Sequence, residues 1–431
     1  MIRMKQFLIL AAVALTALSA CTKVEYGEIP DRKVTFAVGN YVATTKAAED
    51  PVQLTETTTF SSKAWLHANG AAQGTDFLGT IANGFIETVT RLGSAGAYIW
   101  EPDLEYFWPK GTGSYINFVS WYGGPNSKTP VLSGTGALSE TVMNWGTDGA
   151  PLTIVSNDNI LFADEAWRYT DNASRFNAVS DVAMGVPTLF HHALAQVAFK
   201  VRLSTKTPSV KTIWDVTINS VSLTVGNNGY LQLVNEDIGN TDAATKAWKV
   251  GTTYSTGAAA TSANVGWSRP STGSTTETIV QTGGTGTQEF ATPAFTSFQP
   301  GSTASPANPA NSGDFVDLLP SRSVLPQDVQ NGVVNFGMTF TISLYHDANH
   351  DGVKDDSDSN GEADPAFSTE VVTVPVQSLY TLVGNVIPQW KMNTKYVYNI
   401  TIDPVGKKVT FDPAVAAWAS NEAETEIYTA N

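Results

Sequence analysis

Phe336-Gly337-Met338-Thr339-Phe340-Thr341-Ile342-Ser343-Leu344 decides the fold class. Its apolar side chains fall on every second position, against Gly, Thr, Thr and Ser. A period of two sends alternate side chains to opposite faces of an extended chain, so this is a strand with one face in a core. Phe367 to Val376 reads as its hairpin partner, with Pro375 at an edge or bulge because proline has no N–H for a ladder.

The same period recurs on either side. Tyr396, Tyr398, Ile400 and Ile402 alternate with Val397, Asn399 and Thr401. A break at Asp403-Pro404-Val405-Gly406 follows, then Lys407 to Phe411, Pro413 to Trp418 and a last strand candidate, Glu426-Ile427-Tyr428. These final segments either complete a sheet in their own molecule or leave it. Val216 and Ile218 lie in one phase and Val221, Leu223 and Val225 in the other, which predicts a bulge near Asn219-Ser220. Gly226-Asn227-Asn228-Gly229 reads as a hairpin turn into Tyr230 to Leu233. Phe190 to Val201 is a lead-in followed by a strand bearing Val197, Phe199 and Val201. Phe60 to His67 and Tyr115 to Trp121 are further strands. Near the N-terminus Val34, Phe36 and Val38 alternate with Thr35, Ala37 and Gly39, and Val42 keeps the phase.

Composition agrees with an all-β protein: 42% of the 431 residues are hydrophobic and 35 are glycine, without long Ala/Glu/Lys/Leu runs. The length suits two domains, 47–205 and 206–431. Residues 251–314, rich in Gly, Ser, Thr, Ala and Pro, read as a long loop or insertion. The net charge of -15 argues against nucleic acid as a partner, because a binder must neutralise phosphates with Lys and Arg.

Residues 1–20 read as an export signal. Arg3 and Lys5 supply the positive start, Phe7 to Leu18 is too short an apolar run to remain in a bilayer, and Ser19-Ala20 precede Cys21. A small-residue cleavage site ending on cysteine is the lipoprotein pattern. Cys21 is the only cysteine in the chain, so it has no disulfide partner within it. Two or more acyl chains would hold the precursor stably on a membrane. Residues 21–46 then form a pro-segment: a polar tether from Thr22 to Asp31, the strand Lys33 to Val42, and a polar loop from Thr44 to Pro51.

Several patterns bear on chemistry. Asp347, Asn349, Asp351, Asp355 and Asp358 occupy positions one, three, five, nine and twelve of a loop with Gly352 at six, the ligand spacing of a Ca²⁺ loop. The last ligand is Asp instead of Glu and the flanks are strands, so a solvated acidic hairpin tip is the competing reading. His191-His192 lacks a nearby Cys or third His and reads as structural. Trp100, Tyr106, Phe107, Trp108, Tyr115, Phe118, Trp121 and Tyr122 would serve as a sugar platform if exposed; packing is the commoner use of interleaved aromatics. No Gly-x-Ser-x-Gly or His-Glu-x-x-His is present, and nothing singles out a carboxylate pair among the 40 acids. The chain is read as a non-enzyme with no required cofactor.

A lipoprotein cysteine, an early strand and a following basic-Ala step resemble the Bacteroidales fimbrillins, the type V pilins. So do Tyr106-Phe107-Trp108-Pro109 with Ile116-Asn117-Phe118, Phe190-His191-His192-Ala193-Leu194-Ala195-Gln196-Val197, and Trp390 to Ile400 with Val409-Thr410-Phe411 and Trp418 after it. The likeness runs through nearly the whole chain in order and spacing. It implies two transthyretin-like Greek-key β-sandwiches behind a lipoprotein pro-segment, export to the outer membrane, and cleavage by a trypsin-like protease at Lys46-Ala47. The family's best-known cut follows Arg. Losing the strand at 33–42 would open a groove that a C-terminal tail, about 403–431, of another pilin subunit fills. The expected function is therefore a fimbrial subunit supporting adhesion at the cell surface. A surface glycan-binding lipoprotein is the alternative.

Overall fold

The structure, a computed structural model, describes residues 33–38, 57–67, 74–93, 98–108, 115–133, 142–169, 185–203, 212–234, 249–251, 253–255, 267–282, 315–346, 366–403 and 406–418. Its first strands are β1 (Phe36–Val38), β2 (Thr59–His67), β3 (Thr75–Asp76), β4 (Glu87–Leu92), β5 (Ile99–Pro102) and β6 (Tyr115–Tyr122). Next come β7 (Val131–Ser133), β8 (Val142–Trp145), β9 (Leu152–Thr153), β10 (Leu161–Ala163), β11 (Glu165–Tyr169), β12 (Val186–Thr188) and β13 (Phe190–His192). The middle of the chain forms β14 (Ala195–Leu203), β15 (Thr212–Gly226), β16 (Asn228–Val234), β17 (Lys249–Gly251), β18 (Thr253–Ser255), β19 (Trp267–Ser268) and β20 (Thr276–Thr282). The last are β21 (Val316–Val324), β22 (Asn335–His346), β23 (Ala366–Ser378), β24 (Thr394–Asp403) and β25 (Lys408–Ala417), with one helical turn, α1 (Leu379–Leu382), before β24. The fold is all-β, as the alternating segments predict. No helix among the described residues is long and apolar enough to cross a membrane.

Two four-stranded sheets, ordered β21-β14-β24-β25 and β20-β15-β22-β23, face each other. The core between them is what the alternation requires. Val197, Phe199 and Val201 of β14 and Tyr398, Ile400 and Ile402 of β24 meet Val216 and Leu223 of β15 and Phe336, Phe340 and Ile342 of β22. Phe199 stacks on Phe336 from the opposite sheet at 4.8 Å and on Tyr398 from its own at 4.9 Å. The phase flip in β15 is a real irregularity: the register against β22 shifts between Ile218 and Ser220. β22 and β23 pair as the sequence predicts, and their register shifts beside Pro375, on an edge strand where a missing N–H costs no internal ladder bond.

An eleven-stranded sheet is built mainly from the first half, with a main path β12-β1-β5-β4-β2-β6-β10-β13. It closes over its own core. Phe36 of β1 and Phe118 of β6 are four places apart in that path, yet their rings lie 5.8 Å apart in a T-shaped contact. The sheet's other face packs Trp65, Trp121 and Phe162 against Trp145, Leu231 and Trp267 of a six-stranded sheet centred on β16.

Two expectations are corrected. Residues 251–314 are not one continuous loop: β18, β19 and β20 lie within them, and β20 pairs with β15 because Ile279 reaches the core between the four-stranded sheets, a burial that the Gly/Ser/Thr-rich composition hides. Gly226 to Gly229 is not a hairpin: β15 and β16 belong to different sheets. Gln327 accepts the Gly226 N–H at 2.9 Å and donates to its carbonyl at 3.2 Å, satisfying the backbone where the strand changes partner. A β-carbon at Gly226 would lie 1.4 Å from an Arg269 guanidinium nitrogen, so the crossing needs glycine or a displaced arginine. Pairing also crosses residue 205 in both directions. β14 bonds to β21 and β24, while β16 bonds to β8.

Candidate functional site: the N-terminal strand and its groove

β1 lies inside the eleven-stranded sheet, parallel to β12 on one side and antiparallel to β5 on the other. Phe36 stands opposite both Val186 and Trp100. The backbone beyond β1 is also engaged: the Val34 N–H donates to the Tyr106 carbonyl at 2.8 Å, and the Thr35 carbonyl accepts from Val186 N–H at 2.7 Å. Val34 is wholly buried and Phe36 is 4% exposed. Phe36 fills a pocket walled by Phe60, at 5.4 Å edge to face, and Phe118. The alternation in this short segment therefore reflects two inward side chains, held by shape and by a ladder on both edges.

Charge fixes the outer end. Lys33 Nζ lies 2.8 Å from Glu101 Oε2 and 3.4 Å from Glu105 Oε1. The hydrogen bond to Glu101 holds the ammonium above its ordinary range, aided by both carboxylate charges and opposed by partial burial. Lys33 also forms an isolated antiparallel bridge with Phe107. The acceptor carbonyl of Tyr106 is itself positioned. The phenol donates to the buried Glu87 at 2.6 Å and accepts the Gly79 N–H at 2.8 Å. Burial, then the bond to Glu87, push this phenol up to about 12. On the far wall Gly185 has φ of +85°, and a β-carbon there would meet the Thr35 oxygen at 2.9 Å. Only glycine takes that conformation with β1 so close.

β25 is an edge strand, paired antiparallel to β24 along its length. Val409 and Phe411 are partly buried against the second core, Phe411 touching Phe336 edge to face at 5.6 Å. Just beyond the strand, Trp418 stacks on His192 at 3.7 Å with ring planes 2° apart. Its N–H donates to the Asn393 carbonyl at 3.2 Å. The end of β25 is thus fastened to the first half of the chain.

The paired histidines have structural partners. His191 Nε2 lies 3.2 Å from Asp164 Oδ2, and His192 Nδ1 lies 2.9 Å from Asn159 Oδ1. Burial, with the neighbouring His191, pushes His192 down to about 3, so its ring is neutral at physiological pH. Among the described residues no three His, Cys, Asp or Glu side chains cluster as a metal site. The aromatic cluster is packing: Trp100, Trp108, Phe118 and Trp121 are all buried, and Phe107, 52% exposed, stands apart from them in exposure. Cys21, Lys46 and Ala47 lie outside the described residues, as do Asp347, Asn349, Asp351, Asp355 and Asp358. The sequence reading missed Glu101 and Glu105, because they are far along the chain from Lys33 and carry no local pattern.

No protein-family model and no curated protein matches the chain. Among solved structures, it is similar to a fimbrial protein from Bacteroides vulgatus, with 14% identity over 90% of this chain and 99% of that one, at a TM-score of 0.47. It is also similar to a candidate cell adhesion protein from Bacteroides uniformis, with 12% identity, coverage of 90% and 97%, and a TM-score of 0.36. The tip fimbrial protein Mfa3 from Porphyromonas gingivalis, C-terminally truncated, matches at 9% identity, coverage of 90% and 98%, and a TM-score of 0.27. Likenesses this distant leave the functional reading to rest on the strand and groove just described.

Proposed function

We propose that the chain is a structural subunit of a cell-surface fimbria that polymerises by strand exchange and supports adhesion. One observation carries this reading: β1 is seated between two strands with Phe36, and Val34 just before it, buried, while a candidate cut site, Lys46-Ala47, lies between it and β2. The precursor is exported as a lipoprotein acylated at Cys21 and held at the outer membrane. A trypsin-like protease then cuts after Lys46, freeing the pro-segment 21–46. Departure of β1 bares an apolar pocket and unpaired backbone on β5 and β12, an edge suited to β-augmentation. The C-terminal region of a neighbouring subunit fills it. Each apolar side chain seated there contributes about 1.5–3 kcal/mol. Each ladder bond adds about 0.5–1.5 kcal/mol. The contact is head to tail and does not close, so it yields filaments.

The test is to trim the purified full chain after Lys46 and follow assembly by light scattering and electron microscopy. Filaments are expected from the trimmed protein and none from the intact one. A trimmed protein that stays monomeric at high concentration would exclude the mechanism.

A further inference from the structure

The tetrapeptide Lys-Val-Thr-Phe occurs twice, as Lys33-Val34-Thr35-Phe36 leading into β1 and as Lys408-Val409-Thr410-Phe411 in β25. We infer that the exchanged strand enters in a fixed register: Lys408, Val409, Thr410 and Phe411 of a second copy take the places of Lys33, Val34, Thr35 and Phe36. This rests on the strand-exchange reading and adds which residues fill which positions.

The two segments match in facing as well as in sequence. In the first, Val34 and Phe36 are buried and Thr35 is half-exposed; in the second, Val409 and Phe411 point to a core and Thr410 is exposed. The groove asks for this pattern. The pocket formed by Phe60, Phe118 and Trp100 takes an aromatic ring edge-on, and two residues earlier there is room for a branched side chain. One residue before that, Glu101 and Glu105 flank a single ammonium. Lys408 is spaced from Phe411 as Lys33 is from Phe36, so it delivers a cation to the same carboxylates. A strand slipped by one residue would turn Thr410 into the pocket and Phe411 outward. One slipped by two would leave the lysine away from the glutamates.

Burial favours the groove over β24 for this strand. On its own molecule β25 pairs on one edge only and its Val409 and Phe411 are partly buried. In the groove the equivalent side chains are buried and the backbone is engaged on two sides: Phe36 lies between Trp100 of β5 and Val186 of β12, the Val34 N–H donates to Tyr106 and the Thr35 carbonyl accepts from Val186. Val409 and Phe411 therefore lose more exposure in the groove than on β24.

The test uses cysteines at the bridge between Lys33 and Phe107, since antiparallel bridge partners come close enough for a disulfide. Full-length Cys21→Ser chains carrying either Lys408→Cys or Phe107→Cys are trimmed after Lys46, mixed and oxidised. A 408–107 intermolecular disulfide should form at least about ten-fold faster than one between Thr410→Cys and Phe107→Cys. Filaments that form without the 408–107 bond, or that link 410 as fast as 408, would overturn the register and leave strand exchange standing. If trimmed wild-type chain makes no filaments, the exchange reading fails and the register with it. A readout without cysteine is charge reversal: Lys408→Glu should slow assembly, and Glu101→Lys in the accepting copy should restore it. Assembly rates unaffected by either change would also overturn the register.

Discussion

At the scale of single residues, Glu165 shows how burial decides chemistry. Its carboxyl is fully enclosed, accepts from Asn117 Nδ2 at 2.6 Å, and Asn117 in turn lies 3.0 Å from His67 Nε2. Burial pushes it up to about 8, with the Asn117 bond opposing. A carboxyl whose folded value is raised this far binds its proton more tightly folded than unfolded. Its contribution to stability is full below the ordinary carboxyl range and is lost as pH rises through about 8. Glu165→Gln keeps the amide bond and removes the titration. Its melting temperature should fall less than wild type between pH 5 and 9; parallel curves would rule out Glu165 as the source. Phe36 poses a different residue-scale test. Phe36→Ala empties a walled pocket and should cost the uncut chain about 3–5 kcal/mol in denaturant unfolding. The residue leaves with the pro-segment, so assembly of the trimmed protein should be unchanged. Any effect on filaments would place Phe36 outside the proposed role. Gly185→Ala should also destabilise the uncut chain, by about 1–3 kcal/mol, because φ is positive there and Thr35 is close. The same melt measures it.

Among the elements, β1 and β25 are opposites in how they are held. β1 is three residues long but paired on both edges, and its hold comes from Phe36, from Val34 just before it and from the Lys33 clamp. β25 is ten residues long and paired on one edge, and its end is pinned by Trp418 on His192. For exchange, the pin must open. Trp418→Ala should therefore speed filament growth by the trimmed protein in a light-scattering time course while lowering the monomer's melting temperature. Slower or unchanged growth would show that β25 need not leave its own molecule. The alternation of both elements was legible in sequence, as were the bulge in β15 and the irregularity at Pro375 in β23. Their partners were not. Alternation says that one face is buried but not which sheet buries it, and that is why Gly226 to Gly229 read as a hairpin when Gln327 and Arg269 make it a crossing between sheets.

For the whole molecule, the two halves interlock. Trp418 from the C-terminal end, Met392 and Leu325 share a core with Trp65 and Trp121 from the first half. Strand loss at one place should thus be felt across the chain. The trimmed monomer is expected to melt below the uncut protein, and assembled filaments should melt above the trimmed monomer; calorimetry on the three forms checks the order. Residue order alone carries the all-β class and the phase of the main strands, because these depend on side-chain period and on residues adjacent in the chain. It took the folded molecule to place β1 between β12 and β5, to set Glu101 and Glu105 on Lys33, and to bury Trp100, Trp108, Phe118 and Trp121. Those facts depend on contacts between residues far apart in sequence, set by which faces close around a common core, and a local pattern carries no record of its distant partner.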